Sequence, residues 1–399
     1  MKFAHMADCH IGGWREPKLK ELSVKAFDFA IDKCINEHVA FILICGDLFN
    51  TALPSIDLIR DAAAILKKAK DHDISVYIIP GSHDFSPSGK TMLDVLEKAG
   101  LIDNVFRFEG DKLFFTEDKT GVKITGLLGK KGGLEKSYYE LLDKSLLESE
   151  PGFKIFMFHT ALTEFKPAEM ALIESQPVAS LPKKFNYYAG GHVHYIFNKK
   201  LDDGLLTFPG ALFPNNFKEL EEFHHGGFYI VDNNLNFDYI PVKLKDVKTI
   251  FVDADGKTPE QVRSEILKHA TGIDDKIVTI RVEGILSSGK PSDIDFKSVL
   301  DSFSSAYFVL RNTTKLTTKE FEELKVDTGN VEDVELKLIK QHIGKYPLIG
   351  MPCNEEEKLV VNLLHALNKE KEEGEKNFDF ESRVVRDVLK VFALEGVWG

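Results

Sequence analysis

Aspartate and histidine recur in five short polar clusters, and each cluster directly follows an apolar run. Asp8-x-His10 follows Phe3 to Ala7, Gly46-Asp47 follows Phe41 to Cys45, and Gly81-Ser82-His83-Asp84 follows Val76 to Ile79. His159 follows Ile155 to Phe158, and Gly191-His192-Val193-His194 follows Tyr187 to Gly190. Imidazole with carboxylate is a donor set for manganese, iron or zinc. The clusters hold more donors than one ion needs, so a pair of ions roughly 3.5–4 Å apart under a shared carboxylate is expected. Asp47, alone at its strand end, is the natural bridge. Gly46, Gly81 and Gly191 let the backbone turn sharply beside the ions. Singly, each cluster is ordinary: a two-residue polar pattern arises by chance, and a lone histidine is more often a core or surface residue. Five in order, each ending an apolar run, are poorly explained by chance. His5, His38, His72, His224, His225, His269, His342 and His365 join no cluster and read as ordinary.

Such separated clusters meet only if strands deliver them to one edge. Between the apolar runs lie helical patterns, such as Leu22, Ala26, Phe27, Ala30, Ile31 and Cys34, and the segment from Ile56 to Lys70. Continuous apolar strands alternating with helices indicate a sheet covered on both faces, whose strand ends form sites. Further strands are expected at Leu113–Phe115, Val122–Ile124, Leu205–Phe208 and Phe228–Val231. The fold class is α/β: a large sandwich with mixed sheets flanked by helices over residues 1–242. A small α+β unit follows over 243–330. In it Thr258-Pro259-Glu260-Gln261 reads as a helix start and Val278, Ile280 and Val282 as a half-buried strand. Residues 331–354 read as a linker. Over 355–399, Leu359 to Leu367 and Phe380 to Phe392 mark two amphipathic helices around a charged connector, Lys369 to Lys376. Two short helices cannot bury both stripes alone, so they pack on the rest of the chain or on a partner.

Composition narrows the classes. The chain of 399 residues has 51 Lys+Arg against 63 Asp+Glu, a net charge of −12. That disfavours nonspecific coating of nucleic acid, although bound metal ions reverse the sign locally. Cys9, Cys34, Cys45 and Cys353 form no C-x-x-C pair and read as reduced thiols, against a disulfide framework or a zinc ribbon. No run approaches the ~18 apolar residues of a membrane span, and Met1 to His5 already reads as a strand; a cytoplasmic location is expected.

The ordered clusters resemble the calcineurin-like metallophosphoesterase superfamily, and within it the SbcD-type DNA nucleases, the nuclease subunits of double-strand-break repair complexes. Phosphoprotein phosphatases usually continue Gly-Asp with an acidic residue and Arg-Gly. Here the chain reads Gly46-Asp47-Leu48-Phe49-Asn50, with Pro54-Ser55 beyond, as in the nuclease branch. The resemblance extends to the small unit, as a capping domain, and to the helix pair.

What the resemblance implies is specific. One ion would take Asp8, His10, bridging Asp47 and His194; the other Asp47, His159, His192 and Ser82. His83 would act beside the scissile phosphate, oriented by Asp84. Asn50 would stand at the substrate phosphate. The usual metal is manganese. Residues 355–399 would dock on the coiled-coil base of an SbcC-like ABC-type ATPase, and a homodimer would form through helices near 55–70 and 89–98. The setting would be the nucleoid. Two positions depart from the pattern: the family usually has Asn where Ser82 stands, and several members have His where Asn50 stands.

The expected activity is therefore manganese-dependent hydrolysis of DNA phosphodiesters, exonuclease or endonuclease. The same ions would serve a small-molecule phosphodiesterase or phosphatase. A weakened site at Ser82 would instead leave a DNA-end-binding scaffold.

Overall fold

The computed structural model describes residues 1–86, 91–167, 170, 173–202, 204–319, 339, 353–369 and 377–392. The expected linker and the connector after Lys369 fall almost wholly outside them.

β2 (Phe41–Cys45) is apolar along its whole length and β3 (Ser75–Ile79) nearly so, while β1 (Lys2–Met6) is buried from Phe3 onward with one polar residue, His5, among its apolar ones. Their residues are buried toward both faces, as a covered sheet requires. α1 (Pro17–Asn36) and α2 (Ile56–Asp71) return the chain between them. Each buries one stripe at three- and four-residue spacing: Leu19, Leu22, Ala26, Phe27, Ala30 and Ile31 on α1, and Ala62, Ile65, Leu66 and Ala69 on α2. α3 (Met92–Lys98) leads to β4 (Asp103–Asn104).

The run Leu113–Phe115, expected as one strand, is divided. β5 (Phe108–Glu109) pairs with β6 (Lys112–Leu113), and β7 (Thr116–Glu117) pairs with β8 (Lys123–Leu127). Phe114 N donates instead to Arg107 O at 3.1 Å. α4 (Lys136–Leu141) and α5 (Ser145–Ser149) precede β9 (Lys154–His159). Short strands β10 (Ala161–Leu162) and β11 (Ser175–Gln176) pair in parallel. Then come β12 (Tyr187–Gly191), β13 (Phe197–Lys200), β14 (Leu205–Phe208), α6 (Phe217–Phe223), β15 (Gly226–Asp232) and β16 (Phe237–Val242).

Two six-stranded mixed sheets result, in the orders β16-β15-β1-β2-β3-β4 and β13-β14-β12-β9-β8-β7. Their centres are parallel, while β15, β16, β13 and β7 run antiparallel to their neighbours. Phe3, Leu43 and Ile79 of the first sheet pack with Ile155, Met157 and Tyr187 of the second. The outer face of the first sheet carries α1 to α3, and that of the second carries α4 and α5. The expected α/β sandwich with mixed sheets is the fold observed.

Parallel strands finish at one edge, and this brings the polar clusters together. In register, His159 at the end of β9 stands beside Gly191 at the end of β12. The loops after β1 and β2 stay paired: Asp8 N donates to Gly46 O (3.1 Å), His10 N to Asp47 O (2.9 Å) and Ile11 N to Leu48 O (3.0 Å). Gly129 N, just past β8, donates to Pro80 O just past β3 at 2.9 Å, tying the two sheets at the same edge.

The rest of the chain contains β17 (Val247–Asp253), α7 (Pro259–Leu267), β18 (Ile277–Leu286), α8 (Phe296–Ser302), β19 (Phe308–Asn312) and β20 (Leu316–Thr318). α7 starts at the expected place, with Gln261 N bonded to Thr258 Oγ1 and Thr258 N bonded to Gln261 Oε1. Contacts divide the chain into two compact units. The first comprises Met1–Val252, Arg263–Val282 and Asp295–Thr313; the second comprises Asp253–Val262, Glu283–Ile294 and the described residues from Thr314 onward. The second contains α9 (Cys353–Leu367) and α10 (Asn377–Val391), where Leu364, Leu367 and Val385 stay exposed, as does Phe392 just past α10. Among the described residues no helix is long and apolar enough to cross a membrane.

Candidate metal centre

The backbone bends sharply where the strands stop. Asp8 (φ 50°), His10 (42°), Asp47 (52°) and His192 (87°) all adopt left-handed conformations. Each such residue costs about 1–3 kcal/mol and persists only where its surroundings hold it, a pattern typical of functional sites. Here the paired loops hold Asp8, His10 and Asp47, and His192 N donates to both carboxylate oxygens of Asp8 at 3.1 and 3.0 Å. The three glycines beside the site are required by space: a Cβ on Gly191 would stand 1.9 Å from Cys45 O. A Cβ on Gly46 (φ +84°) would stand 2.1 Å from His159 Nδ1, and one on Gly81 would stand 2.2 Å from Asp47 Oδ1.

The hydrogen bonds fix the imidazoles. His194 Nδ1 lies 2.8 Å from Glu219 Oε1, His159 Nδ1 2.8 Å from Cys45 O, and His83 Nδ1 2.8 Å from Asn50 O. His10 Nδ1 lies 3.1 Å from Asn50 Oδ1, an oxygen that also accepts from Asn215 Nδ2 at 3.4 Å. These partners accept only, so each Nδ1 carries a hydrogen, and the lone pair of each Nε2 is left to take an ion or a proton.

Those lone pairs converge on the carboxylates. His10 Nε2 and His194 Nε2 are 3.2 Å apart. His159 Nε2 is 3.3 Å and His10 Nε2 3.7 Å from Asp47 Oδ2, while His194 Nε2 is 3.7 Å from Asp8 Oδ1. His159 Nε2 is buried without a hydrogen-bond partner. Acceptors facing acceptors away from water are unfavourable unless a cation stands among them. The donor set fits divalent metal ions. Three overlapping triads have ligand atoms within 4.8 Å of one another: Asp8–His10–His194, Asp8–Asp47–His159 and His10–Asp47–His83.

The remaining expected residues lie around these. The His192 ring packs edge-on to that of His159, with centroids 5.1 Å apart. Ser82 Oγ donates to Asp47 Oδ2 at 3.4 Å. Asp84 accepts from the backbone N–H of Leu48, Phe49 and Gly81, each at 3.1 Å, so it ties the loop that carries His83 to the loop after Asp47. Asn50 ties His10 and His83 together.

Electrostatics follow from burial and mutual proximity. Burial raises the Asp8 carboxyl to about 7, against the pull of His194 and His159. Burial raises Asp47 too, but His159, His10 and His83 together outweigh it and hold this carboxyl below the ordinary range. Burial lowers His10 and His192 to about 3, helped by His194 and His159 respectively. For His159 burial also lowers, yet Asp47 carries the imidazole to about 10. His194 is lowered by burial and carried to about 9 by Glu219 and Asp8.

Glu219 was not recognisable as part of the site. Asn216-x-x-Glu219 has the spacing of a helix start, and Asn216 Oδ1 does accept from Glu219 N at 3.0 Å. That spacing does not reveal that the carboxylate faces a histidine 25 positions away. The carbonyl of Cys45 leaves no trace in side-chain chemistry.

Residues 1–195 match the calcineurin-like phosphoesterase family. Three similar curated proteins carry the name DNA double-strand break repair protein Mre11. The one from Methanococcus maripaludis is 30% identical over 62% of this chain and 67% of its own. That from Sulfolobus acidocaldarius is 26% identical over 98% and 99%. That from Archaeoglobus fulgidus is 24% identical over 85% and 80%. Among solved structures, a dimetal phosphatase from Danio rerio aligns with a TM-score of 0.39 at 10% identity, over 58% of this chain and 91% of that one.

Proposed function

The chain belongs to the Mre11/SbcD family of DNA double-strand break repair proteins, and from that premise we propose that it is a two-metal DNA nuclease, with manganese as its ion. The observation that carries the reading is the convergence of imidazole Nε2 lone pairs and two carboxylates at the edge where the strands of both sheets end. Asp8, His10, Asp47 and His194 would hold one ion, and Asp47, His159, His192 and Ser82 the other. When bound, the ions supply a nucleophilic water at neutral pH and neutralise the phosphoryl oxygens.

The protein's own residues do the rest. His83 is only partly buried, unlike His10 and His159, and its Nδ1–H is anchored on Asn50 O. Its Nε2 is thus placed to carry a proton to the departing sugar oxygen. Asp84 keeps the loop around His83 in place, and Asn50 stands at the substrate phosphate while fixing both neighbouring rings. Cation binding lets a chain of net charge −12 accept a polyanion. Residues 243–330 would contact DNA mainly through its backbone. Residues 355–399 would dock on a coiled-coil ABC-type ATPase, the protein would work as a homodimer, and its place would be the nucleoid.

The test is hydrolysis of end-labelled double-stranded DNA, with manganese and with chelator, beside His83→Ala. Manganese-dependent cleavage lost in the variant supports the reading. Turnover of nucleotide esters with indifference to DNA selects a small-molecule phosphodiesterase instead. One observation favours a second reading, a DNA-end-binding scaffold: the Ser82 hydroxyl donates to Asp47 instead of offering a free amide oxygen. Metal binding without hydrolysis would select it.

A further inference from the structure

α6 is seven residues long, too short to be stable by itself, so its position is set by what its side chains hold. Residues two apart on a helix point about 200° apart. Glu219 and Glu221 accordingly serve opposite faces. On one face, Glu219 Oε1 accepts from His194 Nδ1 at 2.8 Å and from Asn216 Nδ2, while Oε2 accepts from Asn215 N at 2.7 Å. Asn215 Nδ2 reaches Asn50 Oδ1 at 3.4 Å, the oxygen that holds His10 Nδ1. The start of α6 thus touches the hydrogen-bond partners of both imidazoles that face each other.

On the other face, Glu221 takes the guanidinium of Arg281, from β18. Arg281 Nε lies 3.0 and 2.9 Å from the two carboxylate oxygens, and Nη2 donates as well. The same guanidinium lies 5.1 Å from the ring centroid of Phe217, also on α6. The pair is largely buried, with 12% of the Glu221 and 20% of the Arg281 side chain exposed. A forked arginine–carboxylate pair fixes orientation as well as distance. Leu220, fully buried between the two glutamates, gives the helix a packed pivot.

We propose that α6 is a positioning element of the metal centre: Glu219 sets the tautomer and aim of His194, and the Arg281–Glu221 pair sets where Glu219 stands. The proposal rests on the metal-centre reading above. Arg281 is a positioning residue that reaches the site through Glu221, α6 and Glu219, without touching an ion or substrate. Strand β18 thereby gains a mechanical connection to His194.

Calorimetric titration of manganese into the metal-free protein tests this. Glu219→Ala should weaken the ion on His194 by ~10–100-fold, the usual effect of losing an imidazole's outer partner. Glu219→Gln keeps an oxygen for His194 Nδ1–H and should lose less. Arg281→Met and Glu221→Gln should each weaken the same ion by about 2- to 30-fold. The double variant should be no weaker than the worse single, because both break one pair. Arg281→Lys, which keeps charge without the fork, should recover part of the loss. If Arg281→Met does not fold, the isosteric Glu221→Gln decides alone. Variants of the pair that melt earlier yet bind manganese as the wild type does would overturn the proposal. A wild-type protein that binds no manganese would overturn the metal-centre reading itself.

Discussion

His10 Nε2 and His194 Nε2 face each other at 3.2 Å although Nδ1 of each already donates elsewhere. Two lone pairs at that distance need a proton or a cation between them. In the metal-free protein protons serve: His194 titrates at about 9 and His159 at about 10, while His10 stays neutral. These raised imidazoles stabilise the metal-free fold below pH 6.5, and that contribution is lost as pH rises through 9 to 10. Metal ions compete for the same positions. Between about pH 7 and 9, filling both positions should therefore release two protons, one per ion, and each ion's affinity should fall roughly tenfold per unit drop in pH. Calorimetry in buffers of different ionisation enthalpy reads the proton count directly. A count of zero at pH 8 would refute the competition.

Ser82 is the weak member of the expected donor set. Its hydroxyl is buried and spends its hydrogen on Asp47. Asn at this position would add a neutral amide oxygen one bond farther along. Ser82→Asn should tighten the weaker ion by about tenfold and raise manganese-dependent cleavage. Unchanged affinity for both ions would show that Ser82 does not limit the site.

Gly46→Ala should break the centre from beneath. The new Cβ would meet His159 Nδ1, and the backbone there is left-handed. The conformational strain alone costs about 1–3 kcal/mol. Moving His159 away would also break its bond to Cys45 O. A lower melting temperature with one ion lost is expected. A variant that binds both ions normally would mean that His159 is not held where this fold places it.

The five clusters are legible in the sequence because a strand covered on both faces is a continuous apolar run, and polar residues stand out where it stops. Asp8, His10, Asp47 and His159 follow from that contrast alone. Their left-handed backbone does not, since an Asp or His carries no local mark of φ. Glu219 escapes for a different reason: its spacing from Asn216 describes a helix start, while its function depends on a residue brought near by the fold. The division at Phe114 escapes because three apolar residues look like a strand whether or not a hairpin claims the first of them. The pairing of strands into two sheets depends on long-range register, which no local pattern carries.

Deletion of residues 355–399 should abolish binding to the coiled-coil ATPase and spare metal-dependent DNA cleavage. α9 and α10 leave Leu364, Leu367 and Val385 exposed, and Phe392 just beyond them is exposed too, the type of surface that a partner covers. Pull-down and nuclease assays on the truncated protein separate the two activities. Loss of both from a truncated protein that keeps its fold would count against the docking assignment.

His5 should make the fold acid-sensitive independently of metal. It lies between the two sheets, fully buried, with Nδ1 3.0 Å from both Tyr187 Oη and Thr207 Oγ1. Burial lowers it to about 3, against a small upward pull from the Gly190 backbone. The unfolded chain takes up this proton below pH 6.5 and the folded chain refuses it. Stability is therefore whole above pH 6.5 and falls as pH drops toward 3, by roughly 1.4 kcal/mol per unit. His5→Asn keeps a polar atom near Tyr187 and cannot titrate. With chelator present, it should be less stable at pH 7, and its stability should fall less steeply than the wild type's between pH 6.5 and 4. Urea unfolding at each pH measures both slopes. Parallel slopes would show that the proton is not excluded at His5, and that the acid sensitivity of the sandwich lies with other groups.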